Sequence, residues 1–143
     1  MRTVLIALLA LAGFACPAAQ PPLDIEVTDA WIRWLPADVP GAGYMTLANR
    51  GATAQTLVGA SSRDYAAITL HQTRAAQGLR GMTLLDSLRI EAGTTIKFAD
   101  LGYHWMLAPG VRRVHRGDRV TITLLFAGDR SMIVPFEVRA DGN

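Results

Sequence analysis

Short apolar segments that alternate with polar residues recur along most of the chain. The clearest are "RVTITLLFA" and "SMIVPFEVR", and the pair Gly128-Asp129 between them is a hairpin signal. Earlier segments of the same kind are "GYMTLAN", "AAITLH", "MTLLDSLRI", "TTIKFA" and "YHWMLA". Turn residues separate the segments roughly every eight to twelve positions, and no segment keeps a helical apolar period. The pattern therefore predicts an all-β, antiparallel sandwich with few helices.

The first 19 residues, "MRTVLIALLALAGFACPAA", have a different pattern. One basic residue precedes an apolar run from Val4 to Phe14, and small residues follow. This order is typical of a secretory signal, and the run is too short for a membrane span. Cleavage at the end of the segment removes Cys16, whereas cleavage before Cys16 leaves a cysteine that a lipid can modify, as in bacterial lipoproteins. We predict that 1–19 is the signal and 20–143 is one exported domain.

Composition narrows the function of that domain. The chain has 143 residues, of which 50% are hydrophobic, so a core can form without cross-links, and its one cysteine, Cys16, leaves no internal disulfide. Without Arg2 the charges nearly balance, and no basic face interleaved with aromatic residues suggests nucleic acid. We expect a monomer with no nucleic-acid partner and no membrane span.

Catalytic motifs are absent from the sequence. It has neither a Gly-x-Ser-x-Gly elbow nor a phosphate-binding glycine loop, and its carboxylates are scattered. The prediction is that the protein is not an enzyme.

The stretch "GYHWMLAPG" places His104 and Met106 on either side of Trp105. Residues two apart on a strand share a face at about 6 to 7 Å, so both side chains can reach one ion while Trp105 faces the core. Thioethers are soft, uncharged donors that favour Cu(I) over Zn, Ca or Mg. The structural alternative is a methionine that fills the core and a histidine that forms ordinary hydrogen bonds.

Two further residues extend this pair to the spacing His71-x10-Met82-x21-His104-x-Met106. The spacing resembles the ligand signature of the PCuAC family of periplasmic Cu(I) chaperones. Other segments resemble the family as well, from about Ala30 to Val138, among them "AWIRWLPADVPGAGYMTLANRG", "ITLHQT", "GYHWML" and "RGDRVTITLLF".

The resemblance implies a cupredoxin-like, antiparallel Greek-key β-sandwich that binds one Cu(I) per chain. The implied ligands are His71, Met82, His104 and Met106. The implied partner is a copper-accepting protein such as cytochrome oxidase subunit II, at its copper A centre, alongside a Sco-type thiol protein. Oxidase assembly, copper tolerance and copper storage are the roles open to such a chaperone.

This chain departs from the family pattern at two places. Gln72 and Thr73 follow His71 where many members carry a further methionine, and the sequence ends in "VRADGN" instead of a tail rich in His and Met. A second, tail-borne copper site is therefore not expected. The other histidine and two methionines have no partner at ligand spacing, so we expect a surface His115 and core side chains at Met45 and Met132.

Two other functions are compatible with a β-sandwich. An electron-transfer cupredoxin needs a cysteine thiolate beside two histidines, and Cys16 lies in or beside the signal, which disfavours this function. A metal-free interaction or adhesion module would use the four residues for packing alone. A copper titration separates that module from a chaperone.

Overall fold

The computed structural model describes residues 22–36, 39–110 and 112–140. These residues contain ten β-strands and no helix. The prediction of an all-β fold is confirmed. No described segment forms a helix long and apolar enough to cross a membrane. The predicted signal segment, with Cys16, lies outside the described residues, so the domain boundaries stay a prediction. The strands are β1 (Ile25–Arg33), β2 (Gly41–Asn49), β3 (Gln55–Ser61), β4 (Tyr65–Ala76), β5 (Leu79–Leu85), β6 (Leu88–Ile90), β7 (Thr95–Lys97), β8 (Tyr103–Pro109), β9 (Arg119–Phe126) and β10 (Arg130–Arg139).

Hydrogen bonds connect the strands in the order β5-β4-β8-β2-β1-β10-β9-β3-β6, with β7 added beside β2. Neighbouring strands in the described ladders run antiparallel, except that β1 runs parallel to β10, with Trp31 opposite Glu137. Side chains from both halves of this path share one hydrophobic core, including Trp105 of β8 and Phe136 of β10. The path therefore folds over into the two layers of a sandwich.

Alternation along β9 illustrates why these residues form strands. Val120, Ile122, Leu124 and Phe126 are buried, whereas the residues between them are exposed or half-buried. A side-chain period of two places every second residue on the inner face, and each fully buried apolar side chain contributes about 1.5–3 kcal/mol. The hairpin expected after β9 is present, with positive φ angles of 77° at Gly128 and 55° at Asp129.

The hairpin of β4 and β5 differs from the expected strands. Its two-residue turn, Gln77 and Gly78, has φ angles of 52° and 77°, which fit a tight I′-like turn. The predicted strand end at His71 is wrong, because β4 continues to Ala76 and pairs with β5 there. Gly81 lies within β5, where an exposed edge strand tolerates a residue without a side chain.

Candidate metal centre

His71 and His104 are direct partners in the ladder between β4 and β8. Their ring centroids are 5.8 Å apart and their planes are inclined by 24°. A nitrogen–metal bond near 2 Å places an imidazole centroid roughly 3.2 Å from the ion, so two rings on one ion lie at most about 6.4 Å apart. The pair is therefore close enough to share one ion.

His104 is the buried member of the pair, with 7% of its surface exposed. Its Nδ1 lies 3.3 Å from the carbonyl oxygen of Gly102, which can only accept a proton. The Nδ1–H therefore donates to Gly102, and Nε2 keeps a lone pair for a metal. The same carbonyl accepts the backbone N–H of Thr73 at 2.9 Å, which ties the loop before β8 to strand β4.

His71 has a nitrogen without a partner. Its Nε2 lies 2.9 Å from Thr69 Oγ1, whereas its buried Nδ1 forms no hydrogen bond within the described part of the chain. When Nε2–H donates to Thr69, Nδ1 retains the lone pair that a metal needs. Burial, followed by the nearby His104, holds the pKa of His71 below its ordinary value, which favours the neutral form.

Met82 and Met106 lie on the same face as the two histidines. Met106 is half-buried on β8, opposite Thr69 of β4 and Ala42 of β2. Met82 lies on the edge strand β5, opposite Thr73, and is 52% exposed. Both thioethers line one groove with His104, and His71 joins the set through its ring contact with His104. The opposite face of β8 carries Trp105 and Leu107 into the core, as the alternation predicts.

The four candidate ligands are soft or borderline donors. Within the described ranges, no three His, Cys, Asp or Glu side chains are grouped as a metal site. A hard cation such as Ca²⁺ or Mg²⁺ requires oxygen ligands. Two imidazoles and two thioethers instead suit Cu(I).

Among the residues that the structure describes, the remaining histidine and the two remaining methionines lie away from this face. His115 is exposed in the turn before β9, and its backbone N–H donates to Asp118. Met45 is 2% exposed in the core, and Met132 is partly buried against it.

A cluster that sequence reasoning missed borders the same groove. Arg33 Nη2 lies 2.9 Å from Asp100 Oδ2, and the Tyr44 hydroxyl donates to the other oxygen of Asp100. The guanidinium of Arg33 lies 5.2 Å from the ring centroid of Tyr44 and 5.9 Å from that of Trp31. The cluster has no local sequence signal, because its members lie on β1, on β2 and in the loop before β8.

The cluster has two consequences for charge near the groove. Hydrogen bonds from Arg33 and Tyr44 hold the pKa of Asp100 below its usual range. Burial, followed by the bond to Asp100, raises the pKa of Tyr44. Asp100 is therefore a stable carboxylate and Tyr44 a stable donor at neutral pH.

Most of the chain is similar in sequence to a known protein family. The family described as "Putative lipoprotein LpqE-like" matches residues 25–138. The relative "Putative lipoprotein Lxx21020" of Leifsonia xyli subsp. xyli (strain CTCB07) is 30% identical over 145 residues, covering 96% of this chain and 87% of the relative.

Solved structures share the fold. A copper-bound PCuAC domain from PmoF2 is similar at a TM-score of 0.69 and 19% identity, over 82% of this chain and 94% of that domain. The solution structure of CuI-DR1885 from Deinococcus radiodurans is similar at a TM-score of 0.66 and 28% identity, over 87% of this chain and 83% of that protein. The cupredoxin-like sandwich expected from the sequence is thereby confirmed.

Proposed function

The chain belongs to the LpqE-like family, which is the same family as the PCuAC copper chaperones, and on that premise we propose that it is an exported Cu(I) metallochaperone. It holds one Cu(I) per chain between His71, Met82, His104 and Met106. The lipoprotein names within the family support export, and Cys16 is the candidate lipid anchor. We propose a periplasmic location, a monomer and no enzymatic activity.

The observation that carries this proposal is the pairing of His71 with His104. Two imidazoles meet across strands that share a face with two thioethers, and the buried Nδ1 of His71 has no hydrogen-bond partner among the described residues. An unpaired buried polar atom costs about 1–3 kcal/mol. A metal bound at Nδ1 removes that cost, which supports a ligand role over simple packing.

The proposed acceptor is the copper A centre of cytochrome oxidase subunit II, with a Sco-type protein as a second participant. Transfer requires that an incoming ligand reaches the ion before the old ligands leave. Met82, at 52% exposure on an edge strand, is the ligand that an acceptor can displace, whereas His104, at 7%, stays anchored. The exposure gradient across the site therefore supports release to a partner over permanent storage.

Competition for Cu(I) against bicinchoninate tests the proposal. Wild type should bind one Cu(I), and His71→Ala, Met82→Leu, His104→Ala and Met106→Leu should each weaken binding. His115→Ala is the matched control, because His115 is exposed in a different turn. Binding that survives all four substitutions would contradict the proposed site.

A visible absorption spectrum distinguishes the proposed chaperone from a blue-copper electron-transfer protein. Such a site needs a thiolate, and Cys16 is the only cysteine of the chain. We expect the copper-loaded protein to lack the intense visible band of a Cu(II)–thiolate site. A metal-free interaction module would bind no Cu(I) in the bicinchoninate competition.

A further inference from the structure

Strand β5 forms one edge of the sheet and is nearly fully exposed. Six of its seven residues are exposed, and the seventh is half-buried. Its apolar side chains include Met82 at 52%, Leu84 at 58% and Leu79 at 77% exposure. An edge strand that keeps large apolar residues in solvent is a typical place for another protein to bind.

The β4–β5 hairpin also has an uncompensated positive charge. It contains Arg74 and Arg80, both exposed, and no acidic residue between positions 65 and 85. Within the described part of the chain, neither arginine forms a hydrogen bond or an ion pair. By contrast, Arg33, on the other side of the groove, is paired with Asp100.

The charge lies beside the candidate metal centre. Arg80 and Met82 are two apart on β5 and therefore share a face, and both line the groove with His104. Leu101, at 54% exposure, extends the apolar surface from the loop whose Gly102 carbonyl accepts the Thr73 N–H. Arg80 thus forms a cationic rim beside Met82, the most exposed proposed ligand, and Leu84 lies two residues further along the same face of β5.

We infer that this surface, the docking face of Arg80, Met82, Leu84 and Leu101, binds an acidic patch on the copper-accepting protein. Arg74 lies opposite Gly81 on the other side of the same two-stranded hairpin, and its charge adds to the positive field around the docking face. The inference rests on the proposed function. Positive charge at the rim speeds encounter with an acidic partner, and apolar contacts hold the complex while Met82 is exchanged.

Two other occupants fit the charges less well. A second copy of this chain would bring Arg80 of both molecules to one interface, where like charges repel. An anionic membrane would attract the arginines but cover Met82, the ligand that an acceptor protein must reach.

The test measures Cu(I) transfer from the loaded full chain to the soluble copper A domain of cytochrome oxidase subunit II. Transfer is followed by copper analysis after rapid separation. The variant is Arg74→Glu/Arg80→Glu. The control is Arg116→Glu/Arg119→Glu, which makes the same charge change at two exposed positions in and after the turn before β9.

At low salt we expect the transfer rate of the variant to fall at least ~tenfold, because steering contributes on the order of 10 to 10³ to such rates. The control should keep the wild-type rate. At ~1 M salt, where charges are screened beyond about 3 Å, the loss should shrink to less than ~twofold. Leu101→Ser should slow transfer at both salt concentrations, with Ile133→Ser, at 71% exposure on β10, as its control.

Equal low-salt rates for wild type and Arg74→Glu/Arg80→Glu would overturn the docking face, as would a loss that persists at high salt. So would an effect of the double substitution only on dimer formation in sedimentation, or only on binding to phosphatidylglycerol vesicles. The bicinchoninate titration of the wild type separates the two proposals. If the chain binds Cu(I) but gives any of these results, only the docking face is rejected. If the chain binds no Cu(I), the proposed function is rejected as well.

Discussion

His71 and His104 face each other across the antiparallel strands β4 and β8, with 5.8 Å between their ring centroids. The ladder fixes this relationship, because directly opposed residues on neighbouring strands point to the same face. Two residues separated by 32 intervening positions thereby become one candidate ligand pair. The chemistry of the pair gives the first prediction.

Cu(I) affinity should depend on pH through the imidazoles alone, because thioethers do not titrate. A protonated imidazole cannot bind a metal, so affinity should be flat near neutrality and fall in acid. Because the pKa of His71 is lowered, the part of this loss of Cu(I) affinity that is due to His71 should occur below pH 6.5, the ordinary pKa of histidine. Chelator competition between pH 8 and pH 4 measures the profile, and a flat profile throughout would remove both histidines from the site.

The stability of the metal-free protein should change with pH in the same direction. The pKa of folded His71 is lower than 6.5, so the unfolded chain takes up a proton first as the pH falls. Unfolding free energy should therefore decrease below about pH 6.5, the ordinary pKa of histidine, down to the folded pKa. Urea titrations of wild type and His71→Gln check this, since the variant should lose this part of the pH dependence.

Replacement by leucine should distinguish the two proposed thioether ligands from the methionines of the core. Met82→Leu and Met106→Leu keep the volume nearly constant, so the metal-free protein should lose less than about 1.5 kcal/mol of stability. Cu(I) affinity should nevertheless fall by at least about tenfold for each, as a soft donor is lost. Chelator competition and thermal melts measure the two quantities.

Met45→Leu and Met132→Leu are the controls, because both residues contact the core and not the groove. They should leave Cu(I) affinity unchanged. The double variant Met82→Leu/Met106→Leu should shift its preference towards Cu(II) or Zn(II). Wild-type Cu(I) affinity in that double variant would falsify the proposed ligand set.

Periodicity predicted more of this molecule than local motifs did. Alternation in "YHWMLA" correctly separates a core face with Trp105 from an outer face with His104 and Met106. The same reasoning ended β4 too early, because its exposed half beyond His71 is held by β5 and not by burial. No sequence pattern predicted the ion pair between Arg33 and Asp100, because two residues that are 67 positions apart come together only in the folded chain.

Asp100 should influence the ionisation of Tyr44. The hydrogen bond to this carboxylate adds to burial in raising the pKa of Tyr44. Asp100→Asn removes the negative charge that disfavours tyrosinate, so the pKa of Tyr44 should fall. Ultraviolet titration of tyrosinate measures it, with Tyr44→Phe identifying the signal. The stability loss should be about 1 kcal/mol or less, since Arg33 and Asp100 are 33% and 55% exposed.

Gly43 should matter for the position of β8, and hence of the outer face that carries His104. It lies opposite Trp105 in the ladder, and an added Cβ would come within 3.2 Å of both Trp105 Cβ and Leu107 Cδ1. Because Trp105 Cβ is fixed by its own strand, the strands must separate. We therefore expect Gly43→Ala to reduce the unfolding free energy by about 1–3 kcal/mol, as overpacking does.

Gly81→Ala is the matched control for this substitution, because it also adds one methyl group to a strand glycine. Nothing lies within 4 Å of a Cβ at Gly81 on the exposed edge strand. An alanine there should be neutral or raise the unfolding free energy by up to about 1 kcal/mol, since glycine loses more backbone entropy on folding. Thermal and urea unfolding of the two variants measure the contrast. Equal effects at both positions would mean that the close approach of β2 to β8 does not constrain residue 43.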